Sequence, residues 1–235
     1  MSEVLVRINN LTKYYSSTRA LNSVNLELYK GKVIGLLGPN GCGKTTFIKI
    51  LANLLNNYTG DVLIDGQKPG IHTKNIISYL PDRNYINDNW TGYYAISFFK
   101  DFYSDFNREK AVDLFNLLDI DLNTKFKNLS KGNKDKFQLI LVLSRDAQLY
   151  LFDEPIAGVD PAARELIFDL ILNHYNKEAT VIISTHLIYD VEKILDYAIF
   201  IKNGKIIRYS PVSEIVHDGK TLEEVFKEDF RWSAK

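Results

Sequence analysis

The chain has 235 residues, enough to bury a sizeable core as one large domain or as a domain with a subdomain. Its 29 basic and 29 acidic side chains cancel, so no net field draws nucleic acid or anionic lipid to the surface as a whole, although a local patch stays open. A single cysteine excludes an intramolecular disulfide framework, and no apolar run approaches the roughly 18–20 residues that cross a bilayer. The start, Met1-Ser2-Glu3-Val4-Leu5-Val6-Arg7, lacks the basic opening and long apolar stretch of a signal peptide. The expectation is a soluble cytosolic chain whose membrane role comes through a partner.

Val4 to Ile8 alternates as a strand does, Asn9-Asn10 marks a turn, and Leu11-Thr12-Lys13-Tyr14-Tyr15 follows. After a polar Ser-Ser-Thr loop, a second alternating strand runs from Leu21 to Leu28. Tyr29-Lys30-Gly31-Lys32 then turns the chain into Val33–Leu37, an apolar run that reads as a short strand buried on both faces.

The next stretch, Gly38-Pro39-Asn40-Gly41-Cys42-Gly43-Lys44-Thr45-Thr46, fits G-x-x-x-x-G-K-[ST]. From Thr45 the pattern turns helical, with Phe47, Ile50, Leu51 and Leu54 on one face. A strand, a glycine turn and a helix start make a phosphate-binding loop. Glycines let the backbone wrap closely round an anion, and the helix N-terminus adds partial positive charge there. Lys44 is placed to reach the β- and γ-phosphates and the Thr45 hydroxyl to hold Mg²⁺. The plainer reading, a glycine turn that only links strand to helix, does not account for both flanks. Cys42 reads as a small filler of this loop, with a redox role as the alternative.

Tyr58-Thr59-Gly60-Asp61 leads into a short strand, Val62-Leu63-Ile64, and Ile76 to Leu80 forms another, ended by Pro81. Residues 83–128 change character. Tyr94, Phe98, Phe102 and Phe106 share one helical stripe, broadened by Trp90, Tyr93, Phe99 and Tyr103. The stripe reads as the core of this segment, and the other reading makes its outer aromatics a docking surface. A second helix is expected from Arg108 to Leu118, with Ala111, Leu114, Phe115 and Leu118 inward.

From Leu129 the α/β pattern returns. Ser130 is placed to cap a helix carrying Phe137, Ile140, Leu141 and Ser144. Leu149-Tyr150-Leu151-Phe152 is an apolar strand that delivers Asp153 and Glu154 to the carboxyl edge of a sheet, where ligands bind in open α/β folds. Asp153 beside a triphosphate would hold Mg²⁺ through water, and Glu154 would act as general base on the attacking water. The plain alternative is a helix cap or a surface turn. A helix near Ala162 to Tyr175, a strand from Thr180 to Ser184, Thr185-His186 and a helix near Ile188 to Ile194 follow. Next come a hairpin with an Asn203-Gly204 turn and short helices from Pro211. Strands alternating with helices argue for a parallel sheet flanked by helices.

These pieces, together with Leu129-Ser130-Lys131-Gly132-Asn133, resemble the ATP-binding-cassette (ABC) family over nearly the whole chain. Tyr15 matches the aromatic residue that stacks on adenine, residues 38–46 the Walker A loop, and 149–154 the Walker B strand. Residues 129–133 match the LSGGQ signature, Ala157-Gly158-Val159-Asp160 the D-loop, and His186 the H-loop. The resemblance implies an α/β P-loop NTPase of ABC type. It has a mixed-sheet core, an N-terminal antiparallel β-subdomain and an inserted α-helical subdomain, all in one domain over 1–235. Core and β-subdomain take about 1–82 and 129–210, the helical subdomain about 83–128, and a helical tail about 211–235.

The resemblance also implies a shared site. Two nucleotide-binding subunits would pair head to tail, each ATP held between one subunit's Walker A and the other's Ser130, Lys131, Gly132 and Asn133. His186 would bond the γ-phosphate, and Asp160 would bridge the two sites. The implied activity is Mg²⁺-dependent ATP hydrolysis that powers a separate membrane permease from its cytoplasmic face, with the helical segment around 83–106 passing the motion on. No nucleic acid is expected as a partner. Two features depart from the pattern. Asp82 stands where the family has glutamine, and is expected to meet the metal only through water or with its loop moved inward. Lys131 and Asn133 replace a glycine and a glutamine. Leu129-Ser130-Lys131-Gly132-Asn133, with the run from Asp153 to Pro161, is similar to bacterial subunits linked to peptide-antibiotic resistance or efflux, which favours export. The alternatives are an ABC ATPase acting on ribosomes or DNA, and a protein that binds ATP without hydrolysing it.

Overall fold

The computed structural model describes residues 3–216 and 219–232. Residues 1–2, at the expected leaderless start, and 217–218 and 233–235, in the expected helical tail, lie outside the described residues. The strands are β1 (Val4–Tyr15), β2 (Thr18–Tyr29), β3 (Val33–Leu37), β4 (Thr59–Ile64), β5 (Ile77–Leu80), β6 (Leu149–Asp153), β7 (Thr180–Thr185), β8 (Tyr197–Lys202) and β9 (Lys205–Pro211). The helices are α1 (Lys44–Leu51), α2 (Ile71–Ile76), α3 (Gly92–Phe102), α4 (Arg108–Leu117), α5 (Lys131–Leu143), α6 (Pro161–His174), α7 (Ile188–Val191), α8 (Val212–Ile215) and α9 (Leu222–Trp232). No helix among the described residues is long and apolar enough to cross a membrane.

Two sheets form. β2, β1 and β4 make a three-stranded antiparallel sheet, and the six-stranded sheet runs β5-β6-β7-β3-β8-β9. Every pairing from β5 to β8 is parallel, and β9 returns antiparallel to β8. β3, β6 and β7 are buried along their whole length, as strands covered on both faces are, with residues 33–37, 149–152 and 181–183 as their apolar stretches. Because successive side chains alternate, each strand divides itself between two cores. Leu36, Leu149, Leu151 and Ile182 pack with α1 and the small sheet, whereas Leu37, Tyr150, Phe152 and Ile183 pack with α3 to α6. The carboxyl ends of β3, β6 and β7 therefore lie side by side at one edge, with Asp153 opposite Ser184 and Leu37 opposite Thr185.

Several sequence expectations change. Asn9-Asn10 does not end the first strand. Asn10 takes φ 52° as an extra residue inside β1, and the register slips between Ile8 and Leu11. A residue tolerant of the left-handed region there bends the strand and does not break it. Leu54 leaves the inward face because α1 ends at Leu51, and it is 53 % exposed. The six-residue α2 has no counterpart in the sequence reading.

The aromatic stripe is the larger correction. In α3 the inward face is Ala95, Ile96 and Phe99, while Tyr94 and Phe102 are 54 % and 67 % exposed. The reason is steric. α3 enters against Leu122 so closely that a Cβ on Gly92 would meet Leu122 Cδ2 at 2.6 Å, which sets the small side of the helix inward. Phe98, Trp90 and Tyr103 are half-buried against the core, and the Phe98 ring lies tilted to those of Trp90 and Phe102, with centroids 4.6 and 4.5 Å away. Phe106 lies beyond the helix and is buried by a bridge between its backbone and that of Arg145.

That bridge fastens the helical segment to the end of α5. Arg145, 3 % exposed, donates from Nε and Nη2 to the two Asp105 carboxylate oxygens at 3.0 and 2.9 Å. It also donates to the carbonyls of Asn75 and Ile77, and its guanidinium lies 3.8 Å from the Tyr103 ring centre. Removing a buried cation that answers a carboxylate and two carbonyls strands those partners. Arg145→Ala should therefore lower unfolding free energy by about 3–5 kcal/mol in urea titration, and a loss below about 1 kcal/mol would show that the anchor lies elsewhere.

Candidate functional site

The loop between β3 and α1 is built from close approaches that only glycine permits. A Cβ on Gly38 would meet the Ile201 carbonyl at 2.5 Å. Gly43, at φ 116°, has the Ala20 carbonyl 2.5 Å from where a Cβ would stand. The loop is braced by the hairpin of β8 and β9, whose Gly204 N–H donates to the Cys42 carbonyl at 2.9 Å. A cleft of about 520 Å³ opens above it, lined by Tyr15, Asn40, Lys44, Thr45, Thr46 and Glu154, among others. Tyr15 lines this cleft. Tyr14 lies instead against the guanidinium of Arg19, 5.0 Å from its ring centre. Cys42 is buried, and burial pushes its thiol up, so it carries little thiolate.

Lys44 is 5 % exposed and folds back over its own loop, donating to the carbonyls of Gly38 at 2.7 Å and Pro39 at 3.2 Å. Its Nζ also stands 3.1 Å from Glu154 Oε1. That contact is a charge pair without hydrogen-bond alignment, because Oε1 is buried with no hydrogen-bond partner. The other Glu154 oxygen, Oε2, takes a bond 3.0 Å from His186 Nδ1. A carboxylate only accepts, so Nδ1 carries the proton of that bond. Glu154 adopts φ 53°, a conformation costing a non-glycine residue about 1 kcal/mol or more, and its N–H is held by the Ser184 carbonyl at 3.0 Å.

Asp153 is fully buried at the end of β6. Its Oδ1 accepts from Thr45 Oγ1 at 3.1 Å and from Ser184 Oγ at 2.7 Å. Its Oδ2 is buried without a partner. Burial raises its pKa above the ordinary aspartate value, the Asp82 charge adds to that, and the two hydroxyls and Lys49 oppose it. Ser184 was passed over in the sequence because a serine in an apolar strand signals nothing by itself. Its register opposite Asp153 is what gives it a role. Asp82 lines the same cleft as Lys44 and Thr45, with Arg83 Nε 3.8 Å from its carboxylate.

Ser130 caps α5 as its position predicts, its Oγ accepting from Asn133 N–H at 3.3 Å. Ser130, Lys131 and Gly132 are exposed and Asn133 is half-buried, and none of the four lines the cleft over the phosphate loop. Asp160 is also exposed, at the start of α6. Lys131 lines instead a second cleft of about 340 Å³, which shares Asp82 and Glu154 with the first. Gln138, in α5, donates to Asn84 at 2.7 Å and accepts from Tyr85 N–H at 3.0 Å, just past Asp82.

A family signature described as ABC transporter matches residues 21–157. An uncharacterized ABC transporter ATP-binding protein of Methanocaldococcus jannaschii is 32 % identical, over 89 % of this chain and 79 % of its own length. The SkfA peptide export ATP-binding protein SkfE of Bacillus subtilis is 28 % identical, over 97 % of this chain and 98 % of its own. A solved ATP-binding subunit of an ABC transporter superposes with a TM-score of 0.85 over 96 % of this chain and 99 % of its own, at 23 % identity, a likeness of fold. With a glycine loop, a buried strand-end carboxylate and a glutamate–histidine pair gathered at one sheet edge, and with that signature over more than half of its length, the chain belongs to the ABC transporter family as an ATP-hydrolysing, ATP-binding subunit.

Proposed function

We propose that this subunit hydrolyses ATP at a site it completes only with a second nucleotide-binding subunit. The observation that carries this reading is the separation just described. Lys44, Thr45, Asp153, Glu154 and His186 gather at one sheet edge, whereas Ser130, Lys131, Gly132, Asn133 and Asp160 lie outside that cleft. In a head-to-tail pair the exposed turn at the start of α5 meets the partner's γ-phosphate, with Ser130 and the Gly132 backbone as donors. Tyr15 stacks on adenine, residues 38–46 wrap the phosphates, and Asp160 bridges the two sites.

Mg²⁺ suits this residue set. The buried Oδ2 of Asp153 lacks a partner, and the Thr45 hydroxyl beside it has lone pairs to offer. Those two residues would hold the ion, with Asp82 reaching it through water. When bound, the ion neutralises phosphate charge and orients the γ-phosphoryl group. Triphosphate binding exchanges the Lys44–Glu154 pair for a Lys44–phosphate pair and leaves Glu154 to accept a proton from water. The water oxygen attacks the γ-phosphorus as the bond to the β-bridging oxygen breaks, releasing ADP and phosphate. His186, relieved of Glu154, bonds the γ-phosphate.

Hydrolysis drives a separate membrane permease from its cytoplasmic face. The docking surface is the outward face of α3 with the neighbouring groove of about 470 Å³, whose lining includes Leu54, Tyr85, Phe99 and Tyr103. Export of a peptide is the favoured direction, supported by the peptide export relative. Action on ribosomes or DNA is disfavoured by a formal net charge of +0.

Glu154→Gln should retain ATP binding, slow turnover at least about 10²-fold and trap an ATP-bound pair visible by light scattering; unchanged turnover removes Glu154 from the role of base. Lys44→Ala should abolish useful ATP affinity in equilibrium dialysis, and normal affinity would overturn the loop assignment. Asp153 gives a pH test. Its native pKa lies above the ordinary 3.8, so between those values the folded state holds more protons than the unfolded state, and this group's contribution to stability falls as pH rises. Asp153→Asn should remove that contribution. Its melting temperature without nucleotide should exceed wild type at pH 7.5 and approach it near pH 4, while the stabilisation by Mg-ATP is lost. Phe102→Ser should reduce co-purification with the permease about tenfold at unchanged ATP affinity, and undiminished capture would move the docking surface off α3.

A further inference from the structure

The signature departs from its family at Lys131, and the structure gives that lysine a contact. Its Nζ donates to the Gly158 carbonyl of the D-loop in the same chain, at 3.1 Å. Gly158 is suited to receive it. It adopts φ 70°, and a Cβ there would stand 3.0 Å from the ammonium. The next carbonyl is held too, since Arg164 Nε donates to Val159 at 3.0 Å while its Nη1 bonds Asp190 at 2.9 Å. Two cations therefore clamp consecutive D-loop carbonyls, one from the start of α5 and one from α6. Arg164 carries the chain of contacts on to α7, just past His186.

Helix electrostatics make the contact informative. Lys131 is the first residue of α5, where the helix dipole disfavours a cation, and no acid occupies that first turn. A carbonyl is the partner that offsets such a placement. Lys131 also lines a cleft of about 340 Å³ whose lining includes Asp82, Asp135 and Glu154.

We propose that Lys131 is a positioning residue for ATP hydrolysis. Its bond to the Gly158 carbonyl ties the signature turn to the D-loop, so both reach the partner subunit's nucleotide as one surface. A glycine in its place has no donor to make this tie. The inference rests on the shared-site reading, because only there do the two surfaces act on the same nucleotide.

The test is hydrogen exchange on the intact subunit, joined to the lifetime of the trapped pair. The Ala157 and Val159 amides, bonded to the Glu154 and Ile156 carbonyls at 3.1 and 3.2 Å, report on the D-loop. Lys131→Met should speed their exchange about two- to fivefold, the range for one exposed charge-assisted bond, and Lys131→Arg should restore it. In the Glu154→Gln background with Mg-ATP, Lys131→Met should shorten the lifetime of the pair by a similar factor, again rescued by arginine. Unchanged exchange overturns the tie. Faster exchange with an unaltered lifetime overturns the positioning role, as does a shorter lifetime that arginine fails to rescue. If Glu154→Gln alone forms no pair, the shared-site reading fails, and the exchange result still decides whether the tie exists.

Discussion

The buried carboxylate of Asp153 is the constraint on which the rest of the structure turns. It stands at the end of a strand with no exposed atom, and the fold answers only one of its two oxygens, through Thr45 and Ser184. Those hydroxyls come from different elements, the first turn of α1 and the neighbouring strand β7. The carboxylate thereby fixes the start of the phosphate loop's helix against the sheet. The second oxygen is left to whatever cation arrives. An ionised group held this way costs the empty fold stability, and a ligand that supplies the missing charge returns it. In the proposed site, nucleotide binding and folding would be linked at this one atom.

Three parallel strands make the arrangement possible. β6, β7 and β3 are neighbours in the sheet although they come from distant parts of the chain, and parallel register brings their carboxyl ends to one edge. The phosphate loop, the Asp153-Glu154 pair and the Thr185-His186 turn each follow one of these ends. Local sequence sets each turn, and topology sets their convergence. That division explains which features were legible. The loop, the strand carrying the acids and the hairpin turn at Asn203-Gly204 are local patterns with local causes, and each is found where the sequence places it. Ser184, the Arg145 anchor and the Lys131–Gly158 contact depend on residues far apart in the chain, and no periodicity encodes them.

The two misreadings of local pattern are of another kind. Asn9-Asn10 carries the composition of a turn, yet pairing with strands on both sides keeps β1 continuous and turns Asn10 into a bulge. Tyr94 and Phe102 share the helical spacing of Phe98, which packs against the core, yet they stay outside because the helix packs closely at Gly92 and turns Ala95, Ile96 and Phe99 inward. Hydrophobic periodicity finds a face but does not say which of two apolar faces is covered by the same chain. An aromatic face left outside on an inserted helix is what a partner-binding element would show, and it is the reason to place the permease there.

The same distinction bears on the departures from the family pattern. Asp82 and Lys131 are opposite charges in the lining of one cleft, which Glu154 also lines. Replacing an amide by a carboxylate at position 82 adds negative charge near Asp153, which is already pushed up by burial. Replacing a glycine by lysine at 131 adds a cation to the same lining. Taken singly, each substitution weakens an expected feature. Taken together they are opposite in sign, in a lining where Arg83 and Lys131 stand against Asp82, Asp135 and Glu154, and Gln138 links the backbone just past Asp82 to the helix that Lys131 begins. The two departures are therefore better understood as one compensated change than as separate losses.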